Sequence, residues 1–96
     1  MVYLQASIKL YPGKQQDFIK LLNEVVPYIG KHGWKLIGSY GSVVGRLNTV
    51  VDLWEIPNAE AVGAVLSDPE FQKWAPRISE IIEDEVLTVL TRLPIG

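Results

Sequence analysis

The stretch VVGRLNTVVDLWEI, Val43 to Ile56, decides the fold. Two runs rich in β-branched and aromatic residues meet across a Gly-Arg-Leu-Asn corner of about three residues, the signature of an antiparallel hairpin. Upstream, WKLIGSYGSVV (Trp34 to Val44) supplies the first strand of the pair, and Asn48 to Ile56 the second. Gly38 and Gly41 interrupt the first run and predict a bulge or a close approach by another backbone. Asp52 stands among Val50, Val51, Leu53 and Trp54. A carboxylate in such a run either faces water or enters a cavity where its charge has a task.

Working outward, Val2, Leu4, Ala6, Ile8 and Leu10 alternate with Tyr3, Gln5, Ser7, Lys9 and Tyr11, which is strand periodicity. Pro12 and Gly13 end that strand. Phe18, Leu21, Leu22, Val25 and Ile29 then recur at steps of three and four, predicting a helix over Lys14 to Lys31. Pro27 inside it predicts a kink or a tightened last turn, with Gly30 and Gly33 marking the exit. Beyond the hairpin, Asn58 is placed to cap a short helix, and Asp68-Pro69 restarts one with proline at its first position. Phe71, Trp74, Ile78, Ile81 and Ile82 give that second segment its apolar side, interrupted at Pro76. EVLTVLTRL, from Glu85, closes the chain as a fourth strand.

The order β-α-β-β-α-β is that of a ferredoxin-like sandwich, an α+β fold with a four-stranded antiparallel sheet. Right-handed crossovers place strand one between strands four and three and put both helical segments on one face. The other face is bare. It carries the Tyr3 side of strand one, and apolar residues of that extent predict an interface. A second copy, packed sheet to sheet, is the expected cover. Strand parity groups Asp52 with Val50 and Trp54, and those three are expected on the bare face, with Val51 and Leu53 toward the helices.

The chain has 96 residues, enough for one domain spanning residues 1–96. Its apolar fraction of 48% and charged fraction of 21% are those of a folded globular protein. A net charge of −2 gives no basic footprint, so nucleic acid is not expected as a partner. The absence of cysteine excludes disulfides, thiolate metal sites and cysteine nucleophiles. No run approaches the ~20 apolar residues that span a bilayer, and the opening stretch is unlike a signal peptide, so a cytoplasmic protein without a membrane partner is expected. No phosphate-binding loop or dinucleotide fingerprint is present, and no cofactor or metal is expected.

YPGKQQDF, HGWKLIGSY, GRLNTVVDLWEI and SDPEFQKW occur in the order and spacing of a NIPSNAP-like domain, and the chain resembles that family over nearly its whole length. The resemblance implies a dimeric α/β barrel in which two ferredoxin-like units pair through their sheets and each encloses a cavity. Its superfamily includes cofactor-independent monooxygenases, polyketide cyclases and isomerases. Fold is implied more firmly than activity. The family usually has a histidine at the position of Asp52, and an arginine and a tyrosine at those of Ala6 and Ile8, so no catalytic residue carries over.

Asp52 is therefore the catalytic candidate on its own chemistry. In a cavity, burial would raise its pKa and make it a stronger base, whereas a neighbouring cation such as Lys9 would hold it ionised. Tyr3, Gln5, Tyr40 and Trp54 are the candidate substrate contacts, offering flat apolar walls and polar tips suited to an aromatic ligand. Tyr40 and Trp34 depend on the register of strands two and three, where a one-residue slip reverses every side chain. His32, in GKHGW, reads as a helix-terminal residue, and the run EIIEDE, Glu80 to Glu85, as a solvated helix end. Two functions remain: a cofactor-independent enzyme acting on a hydrophobic, aromatic metabolite in a cavity between sheet and first helix or between sheets, or a non-catalytic binding or interaction module.

Overall fold

Alternation along the first strand sets the layers of the molecule. In the computed structural model, which describes residues 2–96, β1 (Val2–Leu10) buries Leu4, Ala6, Ile8 and Leu10 and leaves the Tyr3 side half-covered. α1 (Gln15–Gly30) follows, burying Phe18, Leu21, Val25, Tyr28 and Ile29 at helical spacing. It runs through Pro27. The N–H groups of Lys31, His32 and Gly33 then bond to the carbonyls of Tyr28, Ile29 and Gly30, three residues back, which is the tightened last turn expected of that proline. Gly33 closes the exit at φ +84°, and a Cβ there would come within 2.9 Å of the Pro57 ring.

β2 (Lys35–Gly41) and β3 (Thr49–Ile56) form the antiparallel hairpin. Its connection is longer than expected. Residues 42–48 lie outside the ladder, with Asn48 at φ 60° and Gly45 at φ +119°, and β2 stops at Gly41 rather than Val44. Val43 and Val44, read from sequence as strand, instead stand at the tip, 94% and 92% exposed. A register shift between Leu36 and Gly38 is the expected bulge, and the Tyr40 ring lies over Gly38, where a Cβ would overlap it.

The second helical segment is broken into short pieces. α2 (Glu60–Leu66) is capped by Asn58, whose Oδ1 accepts the Ala61 N–H at 3.0 Å. A 3-10 turn (Phe71–Trp74) and α3 (Ala75–Ile81) follow, so the helix after Asp68-Pro69 is not continuous: Pro76 sits in the first turn of α3, where its missing donor costs nothing. β4 (Ile82–Thr91) starts three residues before the expected Glu85, and the acidic run therefore lies mostly in a strand.

The sheet order is β2-β3-β1-β4, all neighbours antiparallel, with the helices on one face. This is the ferredoxin-like arrangement. The facing of β3 is the reverse of the expectation: Val50, Asp52, Trp54 and Ile56 are buried beneath the helices, and Val51 and Leu53 lie on the open face. The cause is area. Covering Trp54, Ile56 and Val50 removes more apolar surface from water than covering Val51 and Leu53, and a fully buried large side chain is worth roughly 1.5–3 kcal/mol. Asp52 is carried inward with them.

Candidate functional site

Asp52 is 3% exposed and is the only charged or polar residue in the core of the described residues. β3 places it opposite Ala6 on β1 and opposite Ser39 on β2. Ser39 Oγ donates to Asp52 Oδ1 at 2.5 Å, and among the described residues no donor reaches Oδ2. The small side chain of Ala6 leaves open space beside the carboxyl. That space belongs to a partly open cavity of about 320 Å³ between the sheet and the helices.

The floor of the cavity is the covered face of the sheet, with Leu4, Ala6, Ile8, Asp52, Trp54, Glu85 and Leu87. α1 contributes Phe18, Leu21, Leu22, Val25 and Ile29, and the broken segment roofs it through Val65, Leu66, Phe71, Ala75 and Ile78. Apolar side chains dominate. Among the described residues, Asp52 and Glu85 are the charged residues in the lining, and neither Lys, Arg nor His shares it. The hydroxyl of Ser79, also in the wall, is spent on the Ala75 carbonyl at 2.8 Å.

Burial pushes the Asp52 carboxyl pKa up, against a smaller opposing effect of the Ser39 hydrogen bond. Glu85 is exposed at the edge strand, yet the protein packed around its carboxyl pushes its pKa up too, and the negative charges of Asp52 and then Asp84 add to the rise. The two acids sense each other across β1, since Asp52 is level with Ala6 and Glu85 with Ile8. Lys9, considered as a partner for Asp52, points to the other face and pairs with Glu83 at 3.3 Å.

The sequence-derived site divides between the two faces. Asp52 and Trp54 line the cavity, although they reach it through the helix-facing side rather than the bare one. Tyr3 and Gln5 lie on the opposite face of β1, and Tyr40 is 59% exposed on that same side, paired with Val51. Three of the five proposed residues are therefore not brought to the carboxylate. The bulge explains Tyr40: it shifts the register so that Leu36 and Ser39, three apart in sequence, share the covered face.

Glu85, Ser39 and Trp34 were not assigned to the site from sequence. In the sequence Glu85 both opens the fourth strand and ends the acidic run EIIEDE, and neither position marks it as a cavity residue. Trp34 packs edge to face on Trp54, ring centroids 5.5 Å apart, and its Nε1 is buried without an acceptor among the described residues. A buried indole N–H with no partner is uncommon.

Beyond the cavity, Asp68 ties the roof to α1. Its Oδ2 accepts the Tyr28 hydroxyl and lies 3.0 Å from His32 Nε2, while Oδ1 accepts the Glu70 N–H at 2.9 Å. The Tyr28 hydrogen bond, the Glu70 N–H and His32 hold the Asp68 carboxyl below the usual range. Burial and that bond push the Tyr28 phenol up to about 12. His32 thus has a structural partner at the helix end. Arg77 Nη2 adds a second tie from α3 to Glu24 on α1, at 2.7 Å.

Comparison with known proteins settles the family. A NIPSNAP family model matches residues 3–95. The chain belongs to the NIPSNAP family. Among solved structures, an uncharacterized NIPSNAP domain protein from Burkholderia xenovorans is 23% identical with a TM-score of 0.80, covering 100% of this chain and 98% of its own. A NIPSNAP family protein from Agrobacterium tumefaciens is 26% identical with a TM-score of 0.80, covering 99% and 95%. A protein of Deinococcus radiodurans proposed to be an antibiotic biosynthesis monooxygenase is 12% identical with a TM-score of 0.75, covering 100% and 96%, and shares the fold. No curated protein matches. Among the described residues, no helix is long and apolar enough to cross a membrane, and no group of three or more His, Cys, Asp or Glu could hold a metal ion.

Proposed function

We propose that this NIPSNAP protein binds a hydrophobic, aromatic small molecule in the cavity under its helices and acts on it without a cofactor, by oxygenation, isomerisation or cyclisation. The observation that carries the reading is Asp52, a carboxyl of raised pKa buried in an apolar cavity and steadied by Ser39. A carboxyl whose pKa is raised by burial is, once ionised, a stronger general base than a solvated one. Trp54 is the aromatic wall along which a flat ligand would lie. The fold is shared with a proposed antibiotic biosynthesis monooxygenase, which supports the reaction class by analogy of fold alone.

The protein works as a cytoplasmic homodimer in this reading, its open sheet face covered by a second copy. Leu90, Val86, Tyr3, Val51, Leu53 and Tyr40 lie on that face, with Val86 56% exposed. A face of that character is an interface more often than a wet surface. Tyr3, Gln5 and Tyr40 then belong to the dimer contact rather than to ligand contact. The cavity lies within one protomer and does not require the dimer.

A non-catalytic binding module is the second reading. What favours it is the scarcity of reacting groups once those three residues leave the site: the polar groups of the lining are the carboxyls of Asp52 and Glu85 and the hydroxyl of Ser79, which is spent on the Ala75 carbonyl. NMR titration of the Asp52 carboxyl, followed by native mass spectrometry of wild type and Asp52→Asn for a co-purified small molecule, tests both. A raised pKa and a bound aromatic compound that the variant holds without converting supports the enzyme. Conversion unchanged in the variant removes Asp52 as base.

A further inference from the structure

The walls of the cavity are not held with equal firmness. On the floor and along α1, the lining residues Leu4, Ile8, Trp54, Phe18 and Val25 are buried. The stretch above them is different. From residue 66 to residue 80 no side chain is buried, and Phe71, Ala75 and Ile78, its share of the lining, are only half-covered. A segment that shelters a cavity without sinking a side chain into the core gives up little apolar contact when it moves.

A second, independent observation is where this segment is fastened. Asp68 accepts the Tyr28 hydroxyl and lies 3.0 Å from His32 Nε2, the Trp74 ring rests on Tyr28 with centroids 5.2 Å apart, and Arg77 Nη2 donates to Glu24 at 2.7 Å. All of these ties lead to α1 or its exit. Toward β4, among the described residues, no side-chain hydrogen bond or ion pair joins residues 67–80 to the strand, and the lining residues on that side, Ser79 and Glu85, are exposed. The segment is also braced within itself, since Gln72 Nε2 donates to the Leu66 carbonyl at 2.6 Å and the Gln72 N–H to the Asp68 carbonyl at 3.2 Å. Its far end is anchored, because Ile81 is buried and its carbonyl accepts the Tyr11 N–H at 3.0 Å. The result is a braced flap with fastenings on one side and a gap on the other.

We infer that residues 67–80 form a lid that lifts off α1 to admit a ligand through the gap along β4, with Asp68 and Arg77 as its latches. The lid has a task only if the cavity is the binding site proposed above, and it supplies the route by which a ligand reaches Asp52. A gate that must open for both entry and exit changes both rates by the same factor and leaves the equilibrium where it was.

Stopped-flow fluorescence with phenylnaphthylamine, an uncharged aromatic probe that brightens in apolar surroundings, measures both rates. Tyr28→Phe/Arg77→Gln keeps the Tyr28 ring and removes a charge-assisted hydrogen bond from each latch. Uptake and release should each become at least about fivefold faster than in the wild type, with Kd within about twofold. Unchanged rates, or faster release alone with weaker binding, would overturn the lid. Should that variant unfold the segment, the opposite intervention tests the same point, because the chain has no cysteine of its own. In Glu24→Cys/Arg77→Cys, joined by bismaleimidoethane, uptake and release should each slow at least about tenfold against the same protein left unjoined. Equal rates in the joined and unjoined forms would overturn the lid and leave the cavity reading standing. A wild type that does not bind the probe would overturn both.

Discussion

The two faces of the sheet are built from the same strands and behave as different surfaces. On the covered face, Leu4, Ile8, Val50, Trp54 and Ile56 pack against α1 and the broken segment, and a single carboxylate is enclosed with them. On the open face, Tyr3, Gln5, Val51 and Leu53 are only half-covered, and β4 is largely exposed. In β1 burial follows the apolar alternation residue by residue. In β3 it follows the face with the larger apolar side chains, Trp54 and Ile56, and Asp52 is carried inward with them where it finds a donor and a cavity.

The largest test of that contrast is Leu4→Ala against Tyr3→Ala. Leu4 is 1% exposed, and its truncation should cost about 2–5 kcal/mol. Tyr3→Ala should cost the isolated protomer far less and act on self-association, so chemical denaturation and light scattering separate the two. Equal losses of stability would erase the distinction between the faces. Next, Leu53→Glu on the open face should weaken dimerisation at least about tenfold, read by analytical ultracentrifugation, while the circular dichroism spectrum stays unchanged. A wild-type monomer would remove the proposed cover.

Asp52→Asn sharpens the comparison from the covered side. The folded pKa of Asp52 is raised, so its ionised form costs stability above that pKa, and the cost disappears as pH falls through it. The neutral variant should melt higher than wild type at pH 8, with about 4–8 °C for each kcal/mol recovered in a domain of this size. The gap should close on acidification. Asp68→Asn, at the roof, has the opposite sign and the smallest effect: the depressed pKa of Asp68 gives stability that is present above the usual carboxylate range and lost as pH falls through its folded value. A slightly lower melting temperature at pH 7, vanishing in acid, is expected.

Strand order and the helix-covered layer were legible in the sequence because long-range signals agreed: strict alternation in β1, helical spacing in α1, and turn residues between them. The proline in α1 and the Asn58 cap were legible for the same reason, each being a local rule that no tertiary contact opposed. The facing of β3 was not. Val51 and Leu53 compete with Trp54 and Ile56 for the core, and a charged residue among the latter weighs against them in any reading by residue type. Tyr40 was hidden by the bulge at Ile37, which breaks the parity on which strand reading depends. Glu85 was hidden by its neighbours, since four acids among six residues look like a solvated end until β4 is seen to start at Ile82. Half of the site lay where sequence rules conflict.

The roof over the cavity has a kinetic consequence. Seven-residue α2, a four-residue 3-10 turn and seven-residue α3 are each below the length at which a helix holds itself together in water, about 12–15 residues. They persist by packing on what lies beneath and by their few polar ties to α1. Amide hydrogens there should exchange with deuterium well ahead of those in β1 and β3, and occupancy of the space below should slow that exchange, making the roof the molecule's own reporter of a guest.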